Sequence, residues 1–211
     1  MSDLGTFLSL CDKTCAAAMP WAEAGYRCIC VDIEAGPSPH PLIETVRADV
    51  HWWYPPHNRR YVFGMAWSPC THLAVSGARW FKTKGLKAFA DGALLFERTY
   101  RILDALGCPY GNENPIGVLS TYHRKPDYIV HPWEFAGYLD DIQADNTTKA
   151  TCLWTGGGFV LPEKRPAPAP HRNDCWLAPP SDDRADIRSA TPSGFARALF
   201  EANRTWALAA A

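Results

Sequence analysis

Residues 60–80 read RYVFGMAWSPCTHLAVSGARW. The apolar run from Tyr61 to Trp67 is long enough for one buried strand and far too short to span a membrane. It breaks at Ser68-Pro69-Cys70-Thr71, and small residues follow, Ser76 and Gly77 among them. A strand that ends in Pro-Cys and enters a small-residue loop presents a thiol at the carboxyl end of a sheet. That edge is where open α/β folds bind ligands. Taken alone, Cys70 reads more readily as a small buried hydrophobe than as a nucleophile. The rest of the chain changes that balance.

Working back toward the N-terminus, FLSL (7–10) is a short apolar strand. DKTCAAAMPWAEAG (12–25) reads as a loop entering a helix, with Thr14 as a cap, Gly25 as a stop and Pro20 near the true start. YRCICVDIE (26–34) is a second strand closing on Asp32 and Glu34. An acid about 20 residues beyond the first loop is spaced to meet a ribose hydroxyl in nucleotide-binding α/β folds. The dinucleotide glycine fingerprint is missing, so the ligand implied is adenosine-bearing but not NAD. ETVRADV (44–50) predicts a third strand ending near Asp49, and HWWYPPHNRR (51–60) a loop.

Working forward, KGLKAFADGALLFERTYRILDALG (84–107) is the clearest helix. Its apolar stripe runs through Leu86, Phe89, Leu94, Phe96, Tyr100 and Leu103. CPYGNENP (108–115) returns as a strand. Residues 116–148 read mostly as loop, with aromatic and basic side chains directly after Glu113 on the same sheet edge. KATCLWTGG (149–157) is a strand, 159–186 is Pro-rich and irregular, and 187–210 is a terminal helix with Thr191 as N-cap and Pro192 at its first position. Strands and helices alternate as far as residue 113, which implies a mostly parallel sheet covered on both faces.

The 211 residues are 47% hydrophobic and 20% charged, enough for one domain with a sizeable core. The start, MSDLGTFLSLCDKT, has no basic region and reads as no signal peptide. The net charge of -1 announces no polybasic face, so nucleic-acid binding would rest on a local patch such as Arg79, Lys82, Lys84 and Lys87. Eight cysteines without CxxC spacing fit reduced thiols in a cytoplasm better than a zinc site or a disulfide framework. Trp52, Trp53 and Trp133, among nine tryptophans, are equally suited to stacking on bases and to packing.

Three stretches line up in order: SLCDKTCAAA (9–18), SPCT (68–71) and NENP (112–115). Together they resemble the DNA (cytosine-5) methyltransferase family, whose signature is a Pro-Cys loop after the fourth strand and a Glu-Asn pair after the fifth. With TCLW and PSGFARA, the chain is similar to small phage- and prophage-borne members without a target-recognition domain. The resemblance implies a Rossmann-like S-adenosylmethionine-dependent methyltransferase fold. It implies methyl or related alkyl transfer to C5 of cytosine in DNA, either a duplex with the base flipped out or a single strand, inside a bacterial host cytoplasm.

The same resemblance assigns residues. Cys70 falls on the nucleophile, Glu113 on the acid at cytosine N3, Asn114 on its neighbour, and Lys149 near the basic cluster that holds Glu113. The donor side comprises Leu10, Cys11, Asp12, Lys13, Thr14 and Cys15, then Asp32, Ile33, Asp49 and Val50, with Ser68 and Pro69 beside the nucleophile. Ser76, Arg79, His123 and Arg124 are placed as substrate contacts, and no metal is expected. Lys13 and Cys15 stand where the family carries glycines that let backbone approach the donor. The lysine raises the idea of a carboxylated S-adenosylmethionine, whose extra charge an ammonium would select.

The chemistry stands without the family name. Cytosine C5 is a poor nucleophile, and a thiolate adding to C6 makes C5 enamine-like. A carboxylic acid at N3 stabilises the charge that develops. With little surface for groove readout, sequence selectivity should be short or lax. Two other readings stay open: a non-catalytic relative that binds DNA or a partner, and an enzyme of the same fold acting on free pyrimidine nucleotides.

Overall fold

The computed structural model describes residues 4–75, 81–173 and 190–209. The strand read first, β4 (Tyr61–Trp67), lies in the middle of a seven-stranded sheet. The others are β1 (Thr6–Leu10), β2 (Arg27–Asp32), β3 (Ile43–Arg47), β5 (Tyr110–Pro115), β6 (Tyr128–Val130) and β7 (Thr151–Gly156), in the order β3-β2-β1-β4-β5-β7-β6. β3, β2, β1, β4 and β5 run parallel to one another. β7 runs antiparallel to both β5 and β6. This is the Rossmann-like arrangement of S-adenosylmethionine-dependent methyltransferases expected from the sequence.

β1 and β4 are apolar almost throughout because both their faces are covered. On one face Trp21, from the short helix α1 (Met19–Glu23), lies over both Phe7 and Phe63 with ring centroids 5.3 Å from each, and those two rings are 6.0 Å apart. Phe195 and Leu199 of the terminal helix complete that layer. On the other face Leu8, Leu10, Val31 and Ala66 pack with Ile102 and Leu103 of α2 (Phe81–Asp104). A Cβ on Gly64 would come within 2.6 Å of the Leu103 side chain, so a glycine lets helix and strand approach here.

Several boundaries differ from the sequence reading. The helix expected in 12–25 is only five residues long, beginning at Met19 with Pro20 in its first turn. The long helix starts at Phe81 and breaks at Gly85, which has φ 78°. Leu86 and Leu94 lie off its buried face, which presents Phe96, Thr99, Ile102 and Leu103. Residues 116–148 are mostly outside regular elements, as expected, but not wholly so. They hold a short helix α3 (Leu119–Tyr122), strand β6 and a 3₁₀ helix (Pro132–Tyr138). The Pro-rich stretch is pinned by backbone hydrogen bonds from Ala167 N–H to Trp133 O and from Thr148 N–H to Arg172 O, both 2.8 Å.

The terminal helix α4 (Ser193–Ala209) begins after Pro192, whose carbonyl accepts from Ala196 N–H. Its exposed N–H groups are met by a distant acid, Asp145 Oδ2, which accepts from Gly194 N–H at 2.6 Å, in place of the expected Thr191 cap. Among the described residues no helix is long and apolar enough to cross a membrane.

Candidate active site

The carboxyl ends of β4 and β5 are built as one unit. Trp67, the last residue of β4, is in register with Glu113 of β5. Ser68 is buried; its hydroxyl bonds Thr99 Oγ1 at 2.9 Å and Asn112 Oδ1 at 3.3 Å, so α2 and β5 together fix where the strand stops. Asn114 Nδ2 donates to Ser68 O at 2.9 Å. That contact gives Asn114 a positioning role: it holds the backbone just before Pro69-Cys70. The Cys70 carbonyl accepts from Leu73 and Ala74 N–H, each at 3.0 Å, which turns the chain and leaves the Cys70 side chain exposed.

The two loops then pair. Ala74 forms an antiparallel bridge with Gly117. Val75 N–H bonds Ile116 O at 3.1 Å and Val118 N–H bonds Leu73 O at 3.0 Å. A Cβ on Gly117 would strike the Leu73 carbonyl oxygen, so only glycine fits. Lys84 Nζ adds a tether to Thr71 O at 2.7 Å.

Beside this unit is a recess whose apolar wall is Trp67, Val130 and Phe195 and whose polar groups include Glu113, Lys149 and His131. Glu113 is 8% exposed, and no hydrogen bond reaches its carboxyl among the described residues. Burial pushes this carboxyl up toward the protonated form, and the nearby Lys149 charge pulls it partly back. Lys149 reaches the recess because β7 runs antiparallel to β5 and starts beside its carboxyl end, with Thr151 opposite Pro115.

The second cleft lies after β1. Cys11 and Cys15 both adopt left-handed backbone, φ 55° and 58°. Cys15 therefore keeps the conformation that the glycine expected there would take freely, at a cost of about 1–2 kcal/mol. Its buried sulfur hydrogen-bonds Cys30, a contact that lowers the Cys15 pKa. Asp12 is buried and accepts from Ser9 Oγ at 2.7 Å and Thr14 Oγ1 at 3.3 Å. Trp67 Nε1 donates to Ser9 Oγ at 3.2 Å, so a hydrogen-bonded chain joins the recess wall to this loop.

Acids converge on the same cleft. Burial first, then Asp32, Asp49 and Asp12, push the Cys11 thiol up to about 12. Asp32 Oδ1 accepts from Glu34 N–H at 2.7 Å and Asp49 Oδ1 from His51 N–H at 2.9 Å. Ile33 is exposed, 65%, beside them. Lys13 points to Glu34, 3.0 Å away, in a pair that is open to solvent. Leu10 and Val50 are buried and support the cleft from the core.

Other expected site residues go elsewhere. Ser76 and Arg79 lie outside the described residues. His123 packs edge-on against Phe96 and Tyr100 beneath α2, and burial lowers its pKa. Arg124 is committed to Asp127 by two hydrogen bonds of 2.8 and 2.9 Å and donates to Thr155 O. Neither lines the recess: His123 lies at the surface against α2, and Arg124 serves the packing of β7, its carbonyl accepting from Trp154 Nε1 at 2.8 Å. Of the tryptophans equally suited to stacking on bases and to packing, Trp52 is 82% exposed, whereas Trp133 is already stacked on His171 at 4.2 Å. His131 was not legible as a site residue, because its place depends on the turn after β6 and that strand was read as loop.

No family model and no curated protein matches the chain. Among solved structures, it is similar to the crystal structure of the glycopeptide N-methyltransferase MtfA, at 11% identity and a TM-score of 0.31. The likeness covers 72% of this chain, which spans 65% of that one. The fold class rests on the strand order and directions.

Proposed function

We propose that the protein transfers a methyl group from S-adenosylmethionine to C5 of cytosine in DNA, through a covalent adduct between Cys70 and C6. The observation that carries this reading is the pairing of an exposed thiol on the β4 loop with a buried, protonation-prone carboxyl on β5, the two loops joined by backbone bonds.

The cleft after β1 fits the donor. Asp32 and Asp49 would hold the ribose and adenine, Ile33 would pack on adenine, and the acidic surroundings of Cys11 suit a cation. When bound, S-adenosylmethionine supplies an electrophilic methyl on a sulfonium. The chain's own groups do the rest. The Cys70 thiolate forms the bond to C6, and the C5–C6 π pair moves to C5 as N3 takes the Glu113 proton. Once C5 carries the methyl, the donor being left as its thioether, a base takes the C5 proton, the C6–S bond breaks to release the Cys70 thiolate, and N3 returns its proton to Glu113, which restores the aromatic ring. Lys149 steadies the carboxylate that Glu113 becomes. The direction of Lys13 toward Glu34, together with three carboxylates around Cys11, favours the ordinary donor over a carboxylated one.

The test is mass analysis of cytosine after incubation of the purified protein with S-adenosylmethionine and duplex, single-stranded or free-nucleotide substrate. Wild type should yield 5-methylcytosine in DNA, and a correctly folded Cys70→Ser variant should yield none. Product from the serine variant, or modification of free nucleotides alone, would overturn the reading.

A further inference from the structure

We propose that the protein has a second binding site, for a small molecule carrying a phosphate or carboxylate group, at the amino-terminal ends of β1, β2 and β3. The recess and the donor cleft lie at the carboxyl ends of the strands, so this site is separate from the reaction proposed above.

A cavity of about 230 Å³ opens there, with Thr6, Arg27, Ile29, Glu44 and Arg59 among its lining residues. The chain connections account for it. Thr6 is in register with Arg27, and Leu8 with Ile29, which is in turn in register with Glu44. Alternation therefore puts Thr6, Arg27, Ile29 and Glu44 on one face of the sheet. Parallel strands are ordinarily covered on both faces by crossover helices. The two connections that flank β3, residues 33–42 and 48–60, hold no helix, and α2 lies over β4 and β5. The start of β2 and β3 is left open on that face.

The cavity offers a ligand two arginines. Among the described residues neither the Arg27 nor the Arg59 side chain donates a hydrogen bond. Arg59 has one ion contact, 4.0 Å from Nη2 to Glu44 Oε2, and its Nε is buried without a partner. Other arginines of the chain are committed: Arg98 donates to Val50 O and Trp53 O, Arg124 to Asp127, and Arg172 to Ala144 O. Two uncommitted guanidinium groups on one cavity set this place apart. A guanidinium presents paired N–H groups that match two oxygens of a phosphate or carboxylate.

Size and charge narrow the ligand. The cavity falls just short of the roughly 300–1,000 Å³ that holds a drug-sized molecule and far exceeds the roughly 30 Å³ of one water. Two arginines against Glu44 leave one positive charge. The Glu44 side chain is 59% exposed, and at 4.0 Å it pairs too loosely to occupy the Arg59 fork. It is placed to accept from a hydroxyl or amine of the same ligand.

The experiment is amide NMR of the full chain, without donor or DNA, titrated with inorganic phosphate and separately with succinate at an ionic strength fixed by chloride. Saturable shifts at Cys28, Ile43 and Glu44 are expected, and the anion that binds more tightly identifies the ligand group. Arg27→Gln and Arg59→Gln should each weaken that binding by about tenfold or more, the scale of a charged hydrogen bond. Lys87→Gln, at a lysine paired with Asp91 on α2, should leave it unchanged. No saturable shift with either anion overturns the site. So does an affinity that survives both arginine substitutions, or one that Lys87→Gln lowers equally, since that is general charge attraction. If Arg59→Gln fails to fold, Arg27→Gln, at an exposed position, is read alone. The result stands or falls whether or not the C5 reaction occurs.

Discussion

Asp12 and Glu113 are both carboxyls buried at the carboxyl edge of one sheet, and they are furnished in opposite ways. Asp12 accepts hydrogen bonds from Ser9 and Thr14, groups that favour its charged form against the pull of burial. Glu113 has no hydroxyl or backbone donor among the described residues and is offset only by the Lys149 charge. Burial raises the pKa of both: at Asp12 a set of hydrogen-bond donors offsets part of that rise, whereas at Glu113 only the Lys149 charge does. The same functional group at similar depth is set apart by the donors around it.

The largest effect expected from breaking this contrast is at Glu113. Glu113→Gln should cost about 10²-fold in kcat/KM, the usual scale for a positioned acid. It should also stabilise the fold at neutral pH. Because the folded carboxyl titrates above its ordinary value, the folded state binds more protons than the unfolded state between the two values. Stability therefore falls as pH rises through that window. Glutamine removes the loss, so thermal unfolding at pH 8 should rise by about 2–4 °C per kcal/mol recovered, with no gain at pH 4. A loss of both activity and stability at pH 8 would contradict the assignment of the proton.

On the Asp12 side, Ser9→Ala should destabilise the protein by about 2 kcal/mol in denaturant unfolding. The change strands Trp67 Nε1 and removes a donor from Asp12, both in buried surroundings. A change below about 0.5 kcal/mol would show that the hydrogen-bonded chain adds little. Cys15 gives a smaller difference. Cys15→Gly and Cys15→Ala both lose the sulfur, but only glycine accepts φ 58° without strain. The glycine variant should therefore be more stable than the alanine variant by about 1 kcal/mol, the reverse of their usual order. Smallest is Lys13→Gly. Exposed ion pairs contribute about 0–1 kcal/mol, so the relative affinity for ordinary and carboxylated donor should change by less than about twofold. A larger shift toward the ordinary donor would restore the lysine as a selector.

Strands β1, β2 and β4 were legible because each is a short apolar run buried on both faces and followed or closed by a polar residue: Leu10 before Cys11-Asp12, Val31 before Asp32, Trp67 before Ser68. Local pattern and burial coincide there. Cys70, Glu113 and Lys149 were placed by the order of motifs, and register accounts for their common edge. Beyond residue 116 the signals separate. β6 has three residues, too few for a period, and the 3₁₀ helix is fixed by tertiary bonds such as Lys164 to Glu134. His123 and Arg124 were misplaced because basic residues beside a sheet edge look the same in sequence whether they face a ligand or, like Arg124, an aspartate three positions on.

The bridge between Ala74 and Gly117 bears on how the binding energy of a substrate is used. In many sites two reacting groups sit on separate loops, and part of the affinity for substrate is consumed in ordering them. Here the backbone that follows the thiol is bonded to the backbone that follows the acid before any base arrives. In the proposed reaction, the entropy of bringing thiol and carboxyl together would be lost during folding, not during turnover. A flipped base would then have only its own unstacking to offset, which would let a chain with little surface for groove contacts bind it.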